Sequence, residues 1–400
     1  MTGNKTAHVV TEPLRPLNGS PVDRQALKTT IDKALQPITS RIDRTLFALG
    51  DKFPNEACEG GKWQPAENNQ WTNSFWTGQL WLLWEMTGNH KYRQAAERFI
   101  ISFADRLARQ VETQTHDLGF LYTLSCVNAW RLTGNTRARD IALHAAEMMM
   151  QRYSPTAGII QAWGDLTDPE QQGRMIIDCN MNLPLLYWAS EQTGNLAFAQ
   201  AALSHATQAA NYIVRPDAST YHTYYMDVTA GEARYGNTHQ GHSDSSCWAR
   251  GQAWGIYGFM LSYLYTGNAD FVSLTRSLSH YFINRLPEDG VCHWDLALAN
   301  TDAVRDSSAA AIAACGLLEL AKALPATDTD RMQYEEVALR IVASLTERYL
   351  SRDASACEGL LMHSVYHMPA GKGVDECCSW GDYFYLEALI RVRQCWKPYW

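Results

Sequence analysis

Past the first seventy residues, the tripeptide Thr-Gly-Asn recurs four times, starting at Thr87, Thr133, Thr193 and Thr266. Trp71, Asp117 and Arg250 precede their copies by sixteen residues, and Asp178 precedes its copy by fifteen. The glycine-asparagine pair suits a left-handed residue that closes a helix, so each copy predicts the end of a helix of about four turns. The residue sixteen positions upstream then stands at that helix's beginning. A repeat that also repeats its chemistry constrains the chain to a set of equivalent helices with one site at their starts.

Helical periodicity and stop signals extend the pattern to twelve helices. They are expected over 24–49, 75–86, 92–107, 118–132, 137–152, 182–192, 198–214, 248–265, 271–285, 307–323, 332–349 and 382–392, after a polar arm over 1–21. Twelve helices in sequential hairpins close into an (α/α)6 barrel when alternate members wrap outside. The even-numbered helices are apolar nearly all round and belong inside, whereas their partners carry a charged face such as Lys91, Arg93, Glu97 and Arg98. Residues 22–400 are therefore expected to form a single catalytic domain. The longer connections 215–247 and 350–379 are expected to contribute short strands beside the pocket.

Bulk properties narrow the partners. A formal charge of −8 lacks the basic face that phosphate binding needs, so nucleic acid is excluded as the expected partner. No apolar stretch reaches about 18 residues, and the first ten residues lack the charged start and apolar run of a secretory signal. A cytoplasmic protein with no membrane contact is the expectation. The 10 cysteines are scattered through a long chain and read as reduced, mostly buried thiols, and the adjacent pair Cys377-Cys378 is given no role. The 14 tryptophans exceed ordinary packing needs and suggest an aromatic-lined ligand groove.

The six inner-helix entrances carry the chemistry. They read Gln70-Trp71-Thr72-Asn73-Ser74-Phe75-Trp76, His116-Asp117-Leu118-Gly119-Phe120, Asp178-Cys179-Asn180-Met181-Asn182, Trp248-Ala249-Arg250-Gly251-Gln252-Ala253-Trp254, Asp302 to Asp306 and Asp375 to Asp382. Inner helices run parallel in such a barrel, so all six entrances should share one rim, where helix amino termini favour an anionic ligand. Asp117 and Asp178 are the paired carboxylates. Helix N-capping is the competing use of each, but a carboxylate pair among tryptophans suits sugar chemistry. Their protonation stays open at this point, because helix termini and Arg250 favour the ionised form while burial and a neighbouring carboxylate favour the acid. Trp76 reads as core; Trp71, Trp163, Trp248 and Trp254 read as sugar-stacking residues. His222, in Tyr221-His222-Thr223-Tyr224-Tyr225, serves equally as a loop hydrogen-bonder or a site residue. His239-Gln240-Gly241-His242 with Asp244 has part of a metal-ligand pattern but no third ligand clearly placed, so neither a metal nor a cofactor is expected.

These motifs together resemble the unsaturated glucuronyl hydrolases of glycoside hydrolase family 88, adding Trp380-Gly381-Asp382-Tyr383, over residues 70–390. The resemblance implies an (α/α)6 barrel acting on unsaturated uronyl di- and oligosaccharides, the products of polysaccharide lyases. It further implies that Asp178 is the general acid and base, that Asp117 assists it, and that Trp71, His116, Trp163, His222, Gln240, Trp248, Arg250 and Trp254 line the pocket. The implied reaction is hydration of a C4=C5 vinyl ether, not direct displacement at C1. The loop Pro369-Ala370-Gly371-Lys372-Gly373 lacks the serines that accompany sulfate preference in some members, so unsulfated substrate is expected, with Lys372 either meeting an anion or solvated. The competing expectations are an unsaturated rhamnogalacturonyl hydrolase of the related family 105 and a noncatalytic carbohydrate-binding barrel. Oligomeric state is not legible.

Overall fold

A computed structural model describes residues 9–299, 301–353 and 357–400; the first eight residues of the expected arm lie outside these. Twelve helices are present among them, in the expected order. The first, α1, spans Arg24–Leu49. The inner set is α2 (Asn73–Thr87), α4 (Leu118–Tyr122, Thr123–Val127 and Asn128–Thr133), α6 (Cys179–Asn182 and Pro184–Thr193), α8 (Ala249–Thr266), α10 (Ser307–Ala323) and α12 (Ser379–Arg393). Their outer partners are α3 (His90–Ala108), α5 (Thr136–Met150), α7 (Leu196–Gln208 and Ala209–Ile213), α9 (Ala269–Ile283) and α11 (Arg331–Ser344 and Leu345–Tyr349). Each inner helix packs on the next, α2 on α4, α4 on α6, and onward through α8 and α10 to α12, which returns to α2. This closed ring is the (α/α)6 barrel.

Thr-Gly-Asn builds the hairpins more completely than its glycine alone suggests. The four threonine hydroxyls donate to the carbonyl four residues earlier, at 2.6–2.7 Å. Gly88, Gly134, Gly194 and Gly267 then take φ of 69° to 73°, which ordinary side chains resist. Asn89, Asn135, Asn195 and Asn268 turn round and N-cap the following outer helix. One tripeptide thus closes an inner helix and opens its partner.

The burial pattern follows the expected roles. On α8 every residue from Ala249 to Ser262 is buried, whereas α3 buries one face only. Two inner helices start three residues earlier than their periodicity indicates, and α2 starts two earlier. The α6 helix begins at Cys179, its first turn joined through Leu183 to a segment opened by Pro184, and α12 begins at Ser379, placing Asp382 inside its first turn. The middle of α4 is a π turn, Thr123–Val127, which takes up one extra residue.

The long connections do hold strands. The strand β5 (Arg174–Ile176) pairs antiparallel with β6 (Thr223–Met226), and β6 with β7 (Ala233–Asn237). The hairpin of β8 (Ser364–His367) and β9 (Lys372–Glu376) lies before α12. Two short antiparallel pairs lie in other loops, β1 (Phe53–Pro54) with β2 (Pro65–Ala66) and β3 (Tyr153–Ser154) with β4 (Ile159–Ile160). No helix among the described residues is long and apolar enough to cross a membrane. All 10 cysteines are free thiols, and only Cys395 is exposed.

Candidate active site

Three inner helices meet through glycines. A Cβ on Gly119 of α4 would fall 2.3–2.4 Å from the backbone and Cβ of Asn182 on α6, and one on Gly258 of α8 would fall 2.5 Å from Asn180 Cβ. The Asn180-Met181-Asn182 turn is therefore clamped between two helices at closer range than side chains allow. Asn182 Oδ1 accepts from the Phe120 N–H at 2.6 Å, fixing α4 against α6. This contact brings the entrances carrying Asp117, Asp178 and Arg250 to a common cavity of about 180 Å³.

That cavity is lined by Trp71, His116, Asp117, Trp163, Asp178, His222, Gln240 and Arg250, all singled out from sequence, and by Ile176, His239, Tyr366 and His367. Neither aspartate caps its helix: both have helical backbone angles and no side-chain bond to the turn they precede. Asp117 Oδ2 accepts from the Thr115 hydroxyl at 2.9 Å, and Oδ1 lies 3.3 Å from His116 Nε2. Asp178 lines the cavity, and its buried Oδ1 has no hydrogen-bond partner among the described residues.

The charges around Asp178 are ordered by burial and by its neighbours. Burial opposes an imidazolium at His116, yet Asp117 beside it, with Cys179, pushes its pKa up to about 10. His116 and Asp117 therefore form an ion pair at neutral pH. For Asp178, burial raises the pKa most, His116 and Arg250 draw it down, and Asp117 raises it, leaving it at about 6. A carboxyl with that value can both give and take a proton near neutral pH. His222 is held well below its ordinary value by burial, with His239 and Arg250 adding to the effect, so its ring is neutral.

The wall opposite is held by Arg250. Its guanidinium donates to Gln240 Oε1 at 2.7 Å, to the Tyr366 carbonyl at 2.7 Å and to the Val365 carbonyl. It also stacks between Trp248 and Trp380, 4.5 and 4.6 Å from their ring centres. Buried Asp306, 3.9 Å behind it, supplies the countercharge. Trp71 stacks on Trp380 at 5.2 Å and donates from Nε1 to the Tyr366 hydroxyl at 3.2 Å. Trp163, 36% exposed, lies over the Arg174 guanidinium at 3.7 Å and forms the outer edge.

Other expected residues stand elsewhere. Trp254 is fully buried between Phe120 and Phe384, beneath the cavity and outside its lining, because it lies one turn further down α8 than Arg250. Trp248 supports Arg250 and His222 from behind and does not line the cavity. Trp76 is core, as expected. Of the six entrances, Asp306 acts through Arg250, while Asp382 accepts the Leu360 and Leu361 N–H groups at 2.8 Å and Asp375 pairs with exposed His363. His239 and His242 separate, the first toward Trp163 and His367, the second against Trp294, so the partial metal pattern does not assemble. Lys372 pairs with Glu56 at 3.2 Å, its ammonium 4.8 Å from the Tyr366 ring. Tyr366 and His367 were missed because they sit on β8, outside the helix-entrance register. His239 was visible only as half of the metal pattern.

Comparison with known proteins identifies the family and agrees with the fold. The sequence profile of Glycosyl Hydrolase Family 88 matches residues 49–387. The unsaturated glucuronyl hydrolase of Bacillus sp. (strain GL1) is 45% identical over 358 residues, 89% of this chain and 95% of that protein. The unsaturated chondroitin disaccharide hydrolase of Streptococcus pyogenes serotype M1 is 42% identical, over 95% of this chain and 94% of its own. The crystal structure of unsaturated glucuronyl hydrolase from Streptococcus agalactiae superposes with a TM-score of 0.94 at 40% identity, covering 98% of this chain and 99% of that one. A match of this extent, to family 88 and to enzymes throughout, sets aside the noncatalytic barrel: the chain belongs to Glycosyl Hydrolase Family 88 and is a glycosidase.

Proposed function

We propose that this enzyme removes the 4,5-unsaturated uronic acid from the non-reducing end of glycosaminoglycan-type oligosaccharides, with Asp178 as acid and base. The observation that carries the assignment is the Asp178 carboxyl, which lines the cavity, has a buried oxygen without a partner among the described residues and is raised to about 6. The names of the relatives support the substrate class. Protonated Asp178 gives its proton to C4 of the vinyl ether, which leaves cationic character on C5 and the ring oxygen. Water adds at C5 while the Asp178 carboxylate takes its proton, so one water is consumed and the catalyst is restored. The C5 hemiketal then opens, and the freed C1 hemiacetal releases the aglycone.

Asp117 holds His116 charged, and that pair tunes Asp178. Trp71 and Trp163 offer ring faces to the sugar, His222 and Gln240 offer hydrogen bonds, and Arg250 with the helix termini favours the uronate. Trp248 and Trp254 serve this site from behind as supports. Pairing of Lys372 with Glu56 is consistent with unsulfated substrate. Ten free thiols support a reducing, cytoplasmic location.

Turnover in ¹⁸O-labelled water tests the reading, followed by loss of the C4=C5 ultraviolet absorbance and mass spectrometry of the products. Label is expected at C5 of the uronate product; label at C1 identifies direct displacement and overturns the hydration mechanism. Asp178→Asn is expected to lower kcat by about 10³, and wild-type turnover in that variant removes Asp178 from its role.

A further inference from the structure

Away from the cavity, three cysteines from remote segments converge. Cys58 follows β1, Cys357 lies in the loop after α11, and Cys377 stands between β9 and α12. Their sulfurs all lie within 4.8 Å of one another. All three residues are buried, and Trp63 and Met362 close over them.

The backbone around them is held independently of the sulfurs. The Cys58 N–H donates to the Cys377 carbonyl at 2.8 Å, and the Glu358 N–H to the Gly61 carbonyl at 2.8 Å. Glu358 Oε2 in turn accepts the Trp63 N–H at 3.0 Å. Buried Arg41 donates to the carbonyls of Cys357 and Gly359. A Cβ on Gly359 would lie 2.3 Å from Cys377 Cβ and 2.9 Å from its Sγ, so this loop passes beside the sulfur only because the residue is glycine.

We propose that Cys58, Cys357 and Cys377 form a site for one thiophilic metal ion, Zn²⁺. A Zn–S bond of about 2.3 Å sets tetrahedral S–S edges of about 3.8 Å, so the triangle needs to contract by no more than about 1 Å per edge. Thiolates select such an ion over the hard cations Mg²⁺ and Ca²⁺. Three thiolates exceed the charge of Zn²⁺ by one, and the Arg41 guanidinium at the Cys357 carbonyl is the neighbouring countercharge. The Met362 thioether or a water completes the coordination. Binding exchanges up to three S–H protons for the metal and involves no oxidation. The site joins the β1–β2 loop, the segment after α11 and the β8–β9 hairpin, whose Tyr366 and His367 line the cavity. Metal occupancy therefore stiffens that wall from behind.

The test uses the full chain purified under reducing conditions, stripped with a chelator, desalted and titrated with Zn²⁺ against a chromophoric competitor. In parallel, Co²⁺ is added and thiols are counted after denaturation. The proposal expects one Zn²⁺ per chain, a near-ultraviolet thiolate-to-Co²⁺ absorption and ten titratable thiols in the stripped protein. Cys58→Ser, Cys357→Ser and Cys377→Ser should each lose the Co²⁺ absorption, whereas Cys395→Ser, at the exposed cysteine, should retain it. No stoichiometric Zn²⁺ uptake with ten free thiols overturns the proposal in favour of packed thiols, and eight free thiols overturn it in favour of a disulfide. Both wild-type measurements decide the question even if a serine variant fails to fold.

Discussion

The six inner helices carry a buried polar cluster at each end, and the two clusters are completed differently. Toward the carboxyl ends, Arg391 donates to Glu387 at 3.0 Å, to Glu319 at 2.7 Å and to the Tyr257 hydroxyl, while Tyr257 and Trp400 both donate to Glu387. At the amino ends, Asp178 Oδ1, Arg250 Nε and Thr72 Oγ1 have no hydrogen-bond partner among the described residues. A buried polar atom without a partner costs roughly 1–3 kcal/mol. Such atoms also occur in the core, at Trp81, Asn128 and Trp188 among others, but at Asp178 and Arg250 they belong to residues that line a cavity a ligand can enter. A saturated cluster maintains the fold, and an unsaturated one beside a cavity marks the site.

The comparison breaks most readily at Arg391. Arg391→Met leaves Glu319 and Glu387 buried without their countercharge, and is expected to lose about 3–5 kcal/mol in urea unfolding. The folded fraction should keep the wild-type KM and pH profile, so a shifted profile would mean that the closed end shapes catalysis.

The next effect has the opposite sign. The folded Asp178 pKa, about 6, lies above the ordinary 3.8, so its proton binds more tightly in the folded state. The resulting stabilisation is full below the unfolded pKa and is lost as pH rises through about 6, leaving the ionised carboxylate unfavourable at pH 7–8. Asp178→Asn should therefore gain about 1–3 kcal/mol at pH 8 while losing activity, a gain that shrinks toward pH 4. Glu387→Gln, the same exchange at the saturated end, should lose stability instead. Equal signs in the two variants would erase the distinction.

The smallest expected change is in pH dependence. Because charged His116 draws the Asp178 pKa down, His116→Gln should raise it. Hydration needs Asp178 protonated, so the descending limb of kcat/KM, expected near pH 6 from that carboxyl, should move to higher pH by about one unit. A limb that stays in place would show that His116 does not tune the acid.

Much of the barrel and the heart of the site follow from local covalent geometry. Thr-Gly-Asn closes one helix and caps the next through bonds spanning only a few residues, and a helix of fixed rise converts sixteen residues of sequence into one rim. That is why Trp71, Asp117, Asp178 and Arg250 were legible together. Where local geometry gave way to packing, the sequence was silent. Tyr366 and His367 reach the cavity on a hairpin whose position depends on Arg250, more than a hundred residues away. Trp254 shares the Arg250 motif but, one turn lower, faces the core. Asp382 turns to a loop, and Cys58, Cys357 and Cys377 meet only because three connections fold over one another. The protonation of Asp178 belongs to the same class, since desolvation and the field of His116 exist only after distant helices have closed around it.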